Sequence, residues 1–251
     1  MNERYMTSSE LKTRAKDLLD GRFGSAILIM FLGGVFNTTV TMTCNSFLTI
    51  FQMALDISPL AIAMISLVVS TVIYLFNNIF SAGYALFFLN TACRRSCDIG
   101  CLFYGFRWQF RKCLTLSGFF ALFTFVITLP LQFCRGMYQQ TQNVYWMMAY
   151  LLFASVSMVA GTVFSLVFSQ CYFLLLDFPD YTAGQLLKSS MQIMKGHMGR
   201  LFYIQVSFIP LIILALLTCG IGMLWLNPYM QMTYTCFFLD LMNPQKTPAQ
   251  E

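Results

Sequence analysis

Long stretches without a charged residue constrain this chain more than any other feature of its sequence. No Asp, Glu, Lys or Arg occurs within residues 23–55, 57–93, 113–134, 136–176 or 201–239. A membrane-spanning helix needs about 20 mostly apolar residues, and every one of these stretches is long enough for one. Only 10% of the chain is charged and 58% is hydrophobic, which leaves too little polar surface for a soluble domain. The sequence therefore excludes a soluble enzyme and a disordered protein, and it predicts a polytopic membrane protein.

The stretches predict an all-α fold, a polytopic transmembrane helical bundle with about six spans, because the last stretch has room for two. The spans are expected near residues 23–45, 59–90, 113–133, 143–176, 201–219 and 223–241. They form a single membrane domain over 23–242, preceded by an N-terminal cytoplasmic amphipathic helix over 1–22 and followed by a cytoplasmic tail over 243–251. The second and fourth spans outrun a hydrocarbon core of roughly 30 Å, so they must tilt or project beyond it.

Three boundaries have local reasons. Ser58 and Pro59 are typical of an N-cap followed by proline in the first helical turn. Pro130 is expected near the outer end of the third span, where interrupting a helix costs least. Residues 219–222 (CGIG) predict a tight reversal between the last two spans.

The basic residues predict the orientation in the membrane. Residues 1–22, 94–112 and 188–200 hold five, five and three of the 15 Lys and Arg residues. With six spans these segments share one side, and excess Lys and Arg mark the cytoplasmic side, so both termini should be cytoplasmic. The first span should act as an uncleaved signal-anchor, because mixed-charge residues precede it. The net charge of +5 then reflects topology and contact with anionic headgroups of the lipid bilayer, and no nucleic acid partner is expected. The expected headgroup contacts are Lys12, Lys16, Arg22, Arg107, Arg111, Lys112, Lys188, Lys195 and Arg200.

A repeated pattern precedes two of the spans. Thr7 and Glu10 have the spacing of a capping box, an apolar stripe follows at Leu11, Ala15, Leu18 and Leu19, and Gly21 closes the helix. The same offsets recur from Thr182 through Gln185 to Gly196, with a stripe at Leu186, Ser190, Ile193 and Met194. A weaker copy starts at Asp98 and keeps Leu102, Phe106 and Phe110, but Lys112 replaces the glycine.

These copies predict three amphipathic interfacial helices and a possible three-fold repeat of one interfacial helix plus a two-span hairpin. Because every repeat unit would begin on the same side of the membrane, the symmetry axis that relates the units is expected along the membrane normal. The apolar stripes are expected at the acyl boundary, with Lys and Arg facing the headgroups. The alternative is that any amphipathic helix before a span shows such offsets.

Several segments resemble a known family. They are SMQIMKG at 190–196, LF at 201–202, QVSFI at 205–209, GIGMLWLNPY at 220–229 and FF at 237–238, with the opening helix and the LFYGF run at 102–106. The chain resembles the bacterial integral membrane family catalogued as domain of unknown function 975. Phe238 and Pro210 depart from that family's pattern, which tends to have Tyr and a Gly-Trp-like pair there. The resemblance implies a multi-span protein of a Gram-positive bacterial plasma membrane, and it implies no reaction.

Candidates for chemistry are few. The charge-free stretches hold no ionisable group of the kind that marks proton relays or intramembrane proteases, so no catalytic residue is expected and the protein is not expected to be an enzyme. His197, the single histidine, has no visible nucleophile partner. Cys93, Cys97 and Cys101 would share a helix face and could bind metal or carry a lipid, but their spacing matches no zinc pattern. Small reduced thiols are the favoured interpretation, and no metal or cofactor is expected.

Two polar patterns remain. Ser157, Gly161, Ser165 and Ser169 form a small-residue seam, favoured as helix packing over a pathway lining. Embedded amides need hydrogen-bond partners and could join helices or line a cavity, and interhelical packing is favoured. The candidate ligand-binding residues are Asn77, Asn78, Gln170, Gln205, Asn227 and Tyr229.

The leading functional hypothesis is non-enzymatic binding or translocation of a lipid-like or amphipathic molecule. A charge-free interior with amides and cationic amphipathic helices favours it. The alternative is a membrane subunit, immunity protein or regulator that acts through a membrane protein partner or as a homo-oligomer. The seam and the interfacial helices would then be the docking surfaces.

Overall fold

A computed structural model describes residues 3–55, 57–95, 99–107, 109–243 and 245–246. The α-helices are α1 (Ser8–Leu19), α2 (Phe23–Leu55), α3 (Pro59–Ala92), α4 (Tyr104–Arg107), α5 (Phe110–Thr141), α6 (Val144–Phe168), α7 (Cys171–Asp177), α8 (Ala183–Met194), α9 (Met198–Val206), α10 (Ile209–Leu217) and α11 (Met223–Met242). A 3₁₀-helix covers Ile99–Phe103. Two-residue strands β1 (Glu3–Arg4) and β2 (Gln245–Lys246) pair antiparallel, with Glu3 opposite Lys246. Apart from this short strand pair, the regular elements of the described chain are helices, as the sequence predicts.

Five helical segments in the described part of the chain are long and apolar enough to cross a membrane. They are Phe23–Leu55, Pro59–Ala92, Phe110–Thr141, Val144–Asp177 and Met198–Leu217. The expected sixth span forms a continuous helix, α11, but it does not join these five, because Asn227, Gln231 and Asp240 lower its hydropathy. The five segments fit a multi-pass membrane protein.

Two of the three predicted helix boundaries are present, and the third signal, Pro130, lies inside a helix. The N–H of Ala61 donates to Ser58 Oγ at 3.4 Å, so Ser58 caps α3 as predicted. Cys219 and Gly220 adopt left-handed backbone with φ of 53° and 82°, which confirms the reversal between α10 and α11. Pro130 lies inside α5, which continues to Thr141. The proline removes one backbone hydrogen bond, but the later residues keep the helix.

The two predicted capping boxes are present. In α1, Thr7 Oγ1 accepts from the N–H of Glu10 at 3.3 Å, and the Glu10 carboxylate accepts from the N–H of Thr7 at 2.7 Å. In α8 the corresponding distances between Thr182 and Gln185 are 3.4 and 2.8 Å. Gly21 and Gly196 then have φ of 70° and 89°, which only glycine adopts easily. In both places the next helix begins two residues after the glycine.

The middle copy does not form a comparable helix. Its expected start, Asp98, lies outside the described residues. From Ile99 the chain forms the 3₁₀-helix and then the single turn of α4, and α5 begins at Phe110. Gly100 and Gly105 each disfavour a continuous helix by about 1 kcal/mol relative to alanine.

The position of the apolar stripes requires a correction. Leu11, Ala15 and Leu19 have no exposed surface, because α1 packs on α11 and α9. The stripe of α8 packs on α7, with Leu186 and Met194 fully buried. The expected contact of these stripes with lipid acyl chains is therefore wrong, since a helix has the same stripe whether protein or lipid covers it.

The single membrane domain over 23–242 stays a prediction. The contacts within the chain group it into two compact units. The first unit comprises Met1–Gly33, Phe80–Trp108 and Leu166–Glu251. Its core contains Phe87, Phe88, Phe208 and Phe237, each at most 2% exposed.

The second unit comprises Gly34–Ile79 and Gln109–Ser165. Its packing is aromatic: the rings of Phe123 and Phe164 stack with centroids 3.7 Å apart. A Cβ added at Gly136 would lie 2.9 Å from the Leu60 backbone, so this glycine permits a close approach of α5 and α3.

Candidate functional site

A cleft of about 680 Å³ in the first unit is a candidate site. It lies between the end of α1, the start of α2, α10 and α11. Its wall is mainly apolar, and three charged residues from the end of α1 line it. The lining residues are Lys16, Asp17, Asp20, Phe23, Leu211, Leu214, Ala215, Thr218, Gly222, Trp225, Leu226 and Tyr229.

Local sequence features build this cleft. The left-handed pair Cys219–Gly220 turns the chain so that α10 and α11 face each other. A Cβ on Gly222 would lie 2.8 Å from the Ala215 backbone, so glycine allows the two helices to approach closely there. The buried stripe of α1 docks that helix onto α11 and leaves Lys16, Asp17 and Asp20 on its exposed side.

The cleft has an amphipathic lining. Leu214 and Trp225 are 59% and 54% exposed, so they offer apolar surface to an occupant. The Lys16 ammonium lies 5.7 Å from the centre of the Tyr229 ring, and that ring meets Phe208 edge-on at 5.3 Å. Carboxylates, an ammonium and aromatic rings thus lie beside an apolar wall, an arrangement suited to a molecule with a polar head and an apolar body.

A helix interruption lies next to the cleft. α9 ends at Val206 and α10 begins at Ile209, with Pro210 in its first turn. Proline has no N–H, so the normal helical bond to the Val206 carbonyl is missing. Lys12 crosses from α1: its Nζ donates to the Ser207 carbonyl at 3.1 Å and lies 4.2 Å from the centre of the Phe208 ring. Burial, and then the nearby Lys16 ammonium, hold the pKa of Lys12 below its usual value of 10.5.

An ion pair with a buried carboxylate fastens the N-terminal segment to α11. Arg200 Nη2 donates to Asp240 Oδ2 at 2.7 Å and to the Met6 carbonyl at 2.8 Å. The N–H of Met6 donates to Asp240 Oδ1 at 3.1 Å. The Asp240 side chain is completely buried, and the Arg200 guanidinium also lies over the rings of Tyr5 and Phe237. Sequence reasoning missed this pair; the usable signal is that Asp240 is the only acidic residue between Tyr181 and Gln250.

The predicted amide site at Asn77 and Asn78 is an intramolecular contact. In the second unit, Asn77 Nδ2 donates to Asn37 Oδ1 at 2.7 Å, which joins α3 to α2. Asn78 Nδ2 donates at 2.8 Å to the Tyr74 carbonyl of its own helix. These bonds match the interpretation of embedded amides as contacts that join or satisfy helices.

The other predicted ligand residues do not converge either. Gln170 is 1% exposed and occupies the interruption between α6 and α7, where it donates to Ser169 Oγ at 2.8 Å. Its Oε1 finds no donor within the described part of the chain. Gln205 is half-buried on α9 and Asn227 is exposed on α11. Of the six predicted residues, Tyr229 alone lines the cleft.

The small-residue seam bonds to a neighbouring helix at Ser157. Ser157 Oγ donates to the Ile127 carbonyl at 3.1 Å, which joins α6 to α5. A Cβ built on Gly161 meets nothing within 4 Å. Ser165 donates to the Thr162 carbonyl of its own helix, and Ser169, which directly follows α6, donates to the Leu166 carbonyl. In the described chain, the seam at Gly161 therefore has no intramolecular packing role.

The expected headgroup contacts fall into two groups. Some of these basic side chains contact groups of their own chain, namely Lys12, Lys16, Arg22 and Arg200. Lys16 and Arg22 also line cavities and are accessible to a ligand there. Lys112 is half-buried and also has a partner. The others are exposed and remain available to headgroups, namely Arg107, Arg111, Lys188 and Lys195.

The cysteine and histidine expectations need revision. α3 ends at Ala92, so Cys93 and Cys101 do not share a helix face, and Cys97 lies outside the described residues. Cys93 is a free thiol, but Cys101 is disulfide-bonded, which contradicts its interpretation as a reduced thiol. His197 is the N-cap position before α9 and lies edge-on to Tyr5, with ring centroids 4.6 Å apart. Among the described residues, no three His, Cys, Asp or Glu side chains come together as a metal site.

Comparison with known sequences assigns the chain to a family without a known activity. No curated protein and no solved structure matches it. The family described as "protein of unknown function (DUF975)" matches residues 5–245. That match covers the cleft, the Arg200–Asp240 ion pair and the five long apolar helices, so the chain belongs to the DUF975 family.

Proposed function

We propose that this protein binds, without catalysing a reaction, a lipid-like or amphipathic molecule in the cleft between α1, α10 and α11, and that binding serves translocation of that molecule. The observation that carries the proposal is the lining of the cleft. Lys16, Asp17 and Asp20 provide a polar region, and Leu211, Leu214 and Trp225 provide an apolar one. A volume of about 680 Å³ lies within the usual range of small-molecule sites, roughly 300–1,000 Å³.

The proposed setting is the plasma membrane of a Gram-positive bacterium, with six spans and both termini cytoplasmic. α11 would be the sixth span. The pairing of Glu3–Arg4 with Gln245–Lys246 supports this topology, because it requires both ends of the chain on one side and hence an even number of crossings. The exposed basic residues before α5 and on α8 support the cytoplasmic assignment and contact with anionic headgroups.

The proposed architecture keeps an internal repeat of parallel units. The matched capping boxes, buried stripes and left-handed glycines of α1 and α8 support it for the first and third units. The segment 99–110 gives no such support for the middle unit.

Native mass spectrometry of the protein extracted in a mild detergent tests the proposed binding. The wild-type chain should retain a stoichiometric lipid or other amphiphile. Leu214→Trp should fill the cleft and reduce the retained fraction at least fivefold. Ile213→Trp is the matched control, because Ile213 is similarly exposed, at 55%, on the same helix but does not line the cleft. Equal retention in the two variants would refute the assignment of the site.

The alternative is a membrane subunit, immunity protein or regulator that acts through a protein partner or a second copy of itself. The open space at Gly161 favours it, because a partner helix could approach there. Gly161→Leu should then abolish co-purification or self-association while the protein folds normally. Val159→Leu, at an exposed position on the same helix but outside the seam, should have no effect. Unchanged assembly in Gly161→Leu would remove this candidate.

A further inference from the structure

A second, smaller cavity shares two lining residues with the cleft. It has a volume of about 320 Å³ and also lies in the first unit. Its lining residues are Asp17, Leu18, Asp20, Arg22, Thr91 and Arg94. Asp17 and Asp20 line both spaces, so one pair of carboxylates borders an apolar cleft and a polar cavity.

The polar cavity contains both signs of charge. Arg22 already donates to the carbonyls of Arg95 at 3.0 Å and Arg94 at 3.4 Å, which fixes its guanidinium. Asp20 Oδ1 accepts from the N–H of Gly21 at 3.1 Å, which fixes that carboxylate. The side chains of Asp17 and Arg94 make no ion pair and no hydrogen bond with the part of the chain that the structure describes. An unpaired carboxylate and an unpaired guanidinium therefore share one cavity.

Charge complementarity selects the headgroup that this cavity accommodates. An anionic headgroup would meet the carboxylates of Asp17 and Asp20, and a cationic one would meet the guanidiniums of Arg22 and Arg94. A headgroup with both charges satisfies both, because ammonium groups pair with carboxylates and guanidinium groups bind phosphate in a bidentate geometry. Thr91 does not change this balance, since its hydroxyl donates to the Phe87 carbonyl at 2.8 Å.

We propose that the amphipathic occupant is a zwitterionic aminophospholipid. Its ammonium pairs with Asp17 and Asp20, its phosphate pairs with Arg94 and Arg22, and an acyl chain lies in the cleft against Leu211, Leu214 and Trp225. This inference rests on the proposed function, because it uses the same cleft for the apolar part of the molecule. It adds the class of headgroup and the residues that select it.

A lipid competition experiment tests the headgroup. The purified protein is exchanged into a mixture of phosphatidylethanolamine, phosphatidylglycerol and diacylglycerol with identical acyl chains, and retained lipid is measured by native mass spectrometry. The wild-type chain should retain phosphatidylethanolamine at least fivefold over either of the others. Asp17→Asn should lower the ratio of phosphatidylethanolamine to phosphatidylglycerol at least threefold. Arg94→Gln should lower the retention of both phospholipids relative to diacylglycerol.

Matched controls separate these effects from a general change of surface charge. Asp180→Asn and Arg135→Gln remove one charge of each sign at exposed positions outside both cavities, and neither should change the lipid ratios. Preference for phosphatidylglycerol in the wild-type chain, or unchanged ratios in both cavity variants, would overturn the headgroup assignment. Lipids retained without headgroup preference but lost in Leu214→Trp would overturn it and leave the proposed function standing. No retained lipid of any class would overturn both.

Discussion

The N-terminal segment α1–α2 and the C-terminal segment α8–α10 begin alike and continue differently. Each starts with a capping box, buries the same helical positions and turns at a left-handed glycine. After that turn, α2 runs unbroken for 33 residues. The C-terminal counterpart runs for 9 residues as α9, stops, and resumes as α10.

The difference shows that a helix start and a helix continuation have separate causes. Capping boxes and glycines act within a few residues, so the same residue types at the same spacing give the same helix start and turn. Continuation depends on residues further along the helix. Pro210 stands where the equivalent position of α2 has Val35, and the Ser207 carbonyl at the interruption binds Lys12 of the N-terminal segment. The two segments thus share a sequence pattern, and a side chain of the first binds a carbonyl that the second exposes at its interruption.

Arg200 carries the largest expected difference between the two segments. Its equivalent is Ser25, which is exposed. Arg200→Ala leaves Asp240 buried without a counter-charge, and we expect the free energy of unfolding in mixed detergent micelles to fall by about 3–5 kcal/mol. Ser25→Ala should change it by less than about 0.5 kcal/mol. Equal effects would show that the ion pair does not distinguish the segments.

Exchanging the residues at the equivalent positions 35 and 210 tests the cause of the interruption. Val35→Pro places proline inside a continuous helix, and we expect a loss of about 3 kcal/mol in the same unfolding measurement. Pro210→Val restores an N–H and should increase amide hydrogen-exchange protection at residues 207–211. Unchanged protection would mean that Pro210 does not cause the interruption.

Lys12 provides the contact between the segments. Lys12→Met keeps the apolar stem and removes the ammonium that binds the Ser207 carbonyl and lies over Phe208. The hydrogen bond and the cation–π contact favour the ammonium, whereas burial and Lys16 oppose it, so the expected net loss is about 1 kcal/mol. Lys188→Met, at an exposed position on α8, should change stability by less than about 0.5 kcal/mol. A similar loss in both variants would contradict the assignment.

The capping boxes should respond equally. Thr7→Ala and Thr182→Ala each remove the side-chain acceptor of a box, and each should cost about 1 kcal/mol of unfolding free energy. Thr13→Ala, in the middle of α1, serves as the control and should stay within about 0.5 kcal/mol. A loss in one box only would weaken the correspondence between α1 and α8.

The smallest expected effect is a dependence on pH. Because the pKa of Lys12 in the folded protein is below 10.5, the unfolded chain binds more protons between the two values. Stability should therefore rise with pH across that interval, up to about 10.5. Comparing unfolding curves of the wild-type chain and Lys12→Met over this range isolates the contribution, which should disappear in the variant.

Local signals in the sequence predicted much of the fold. The predicted spans lie on helices, Ser58 caps α3, both capping boxes form, and the reversal lies at Cys219–Gly220. These features depend on residues that are close together in the chain, so a single sequence is enough to predict them. The predicted helix of the middle copy is wrong, because two glycines in a short segment disfavour a continuous helix in spite of the apolar spacing.

Contacts between distant residues could not be predicted in the same way. An apolar stripe does not say whether lipid or protein covers it, so the burial of Leu11 against α11 was missed. In the sequence, Asp17 and Asp20 look like part of an ordinary solvated helix face. In the structure, apolar residues of α10 and α11 lie beside them. Asp240 resembles any residue at the end of a helix, and its pairing with Arg200 depends on packing that periodicity does not encode.

The docking of α1 on the last helix has a consequence for the order of synthesis. Met6 and Asp240, which bond to each other, are 234 residues apart. At roughly 5–20 residues per second, a ribosome needs about 10–50 s to make the second partner after the first. During that time the side of α1 that bears Leu11, Ala15 and Leu19 has no α11 to cover it. A chain terminated before Met223 lacks α11, so this side of α1 leaves more apolar surface uncovered than it does in the complete fold.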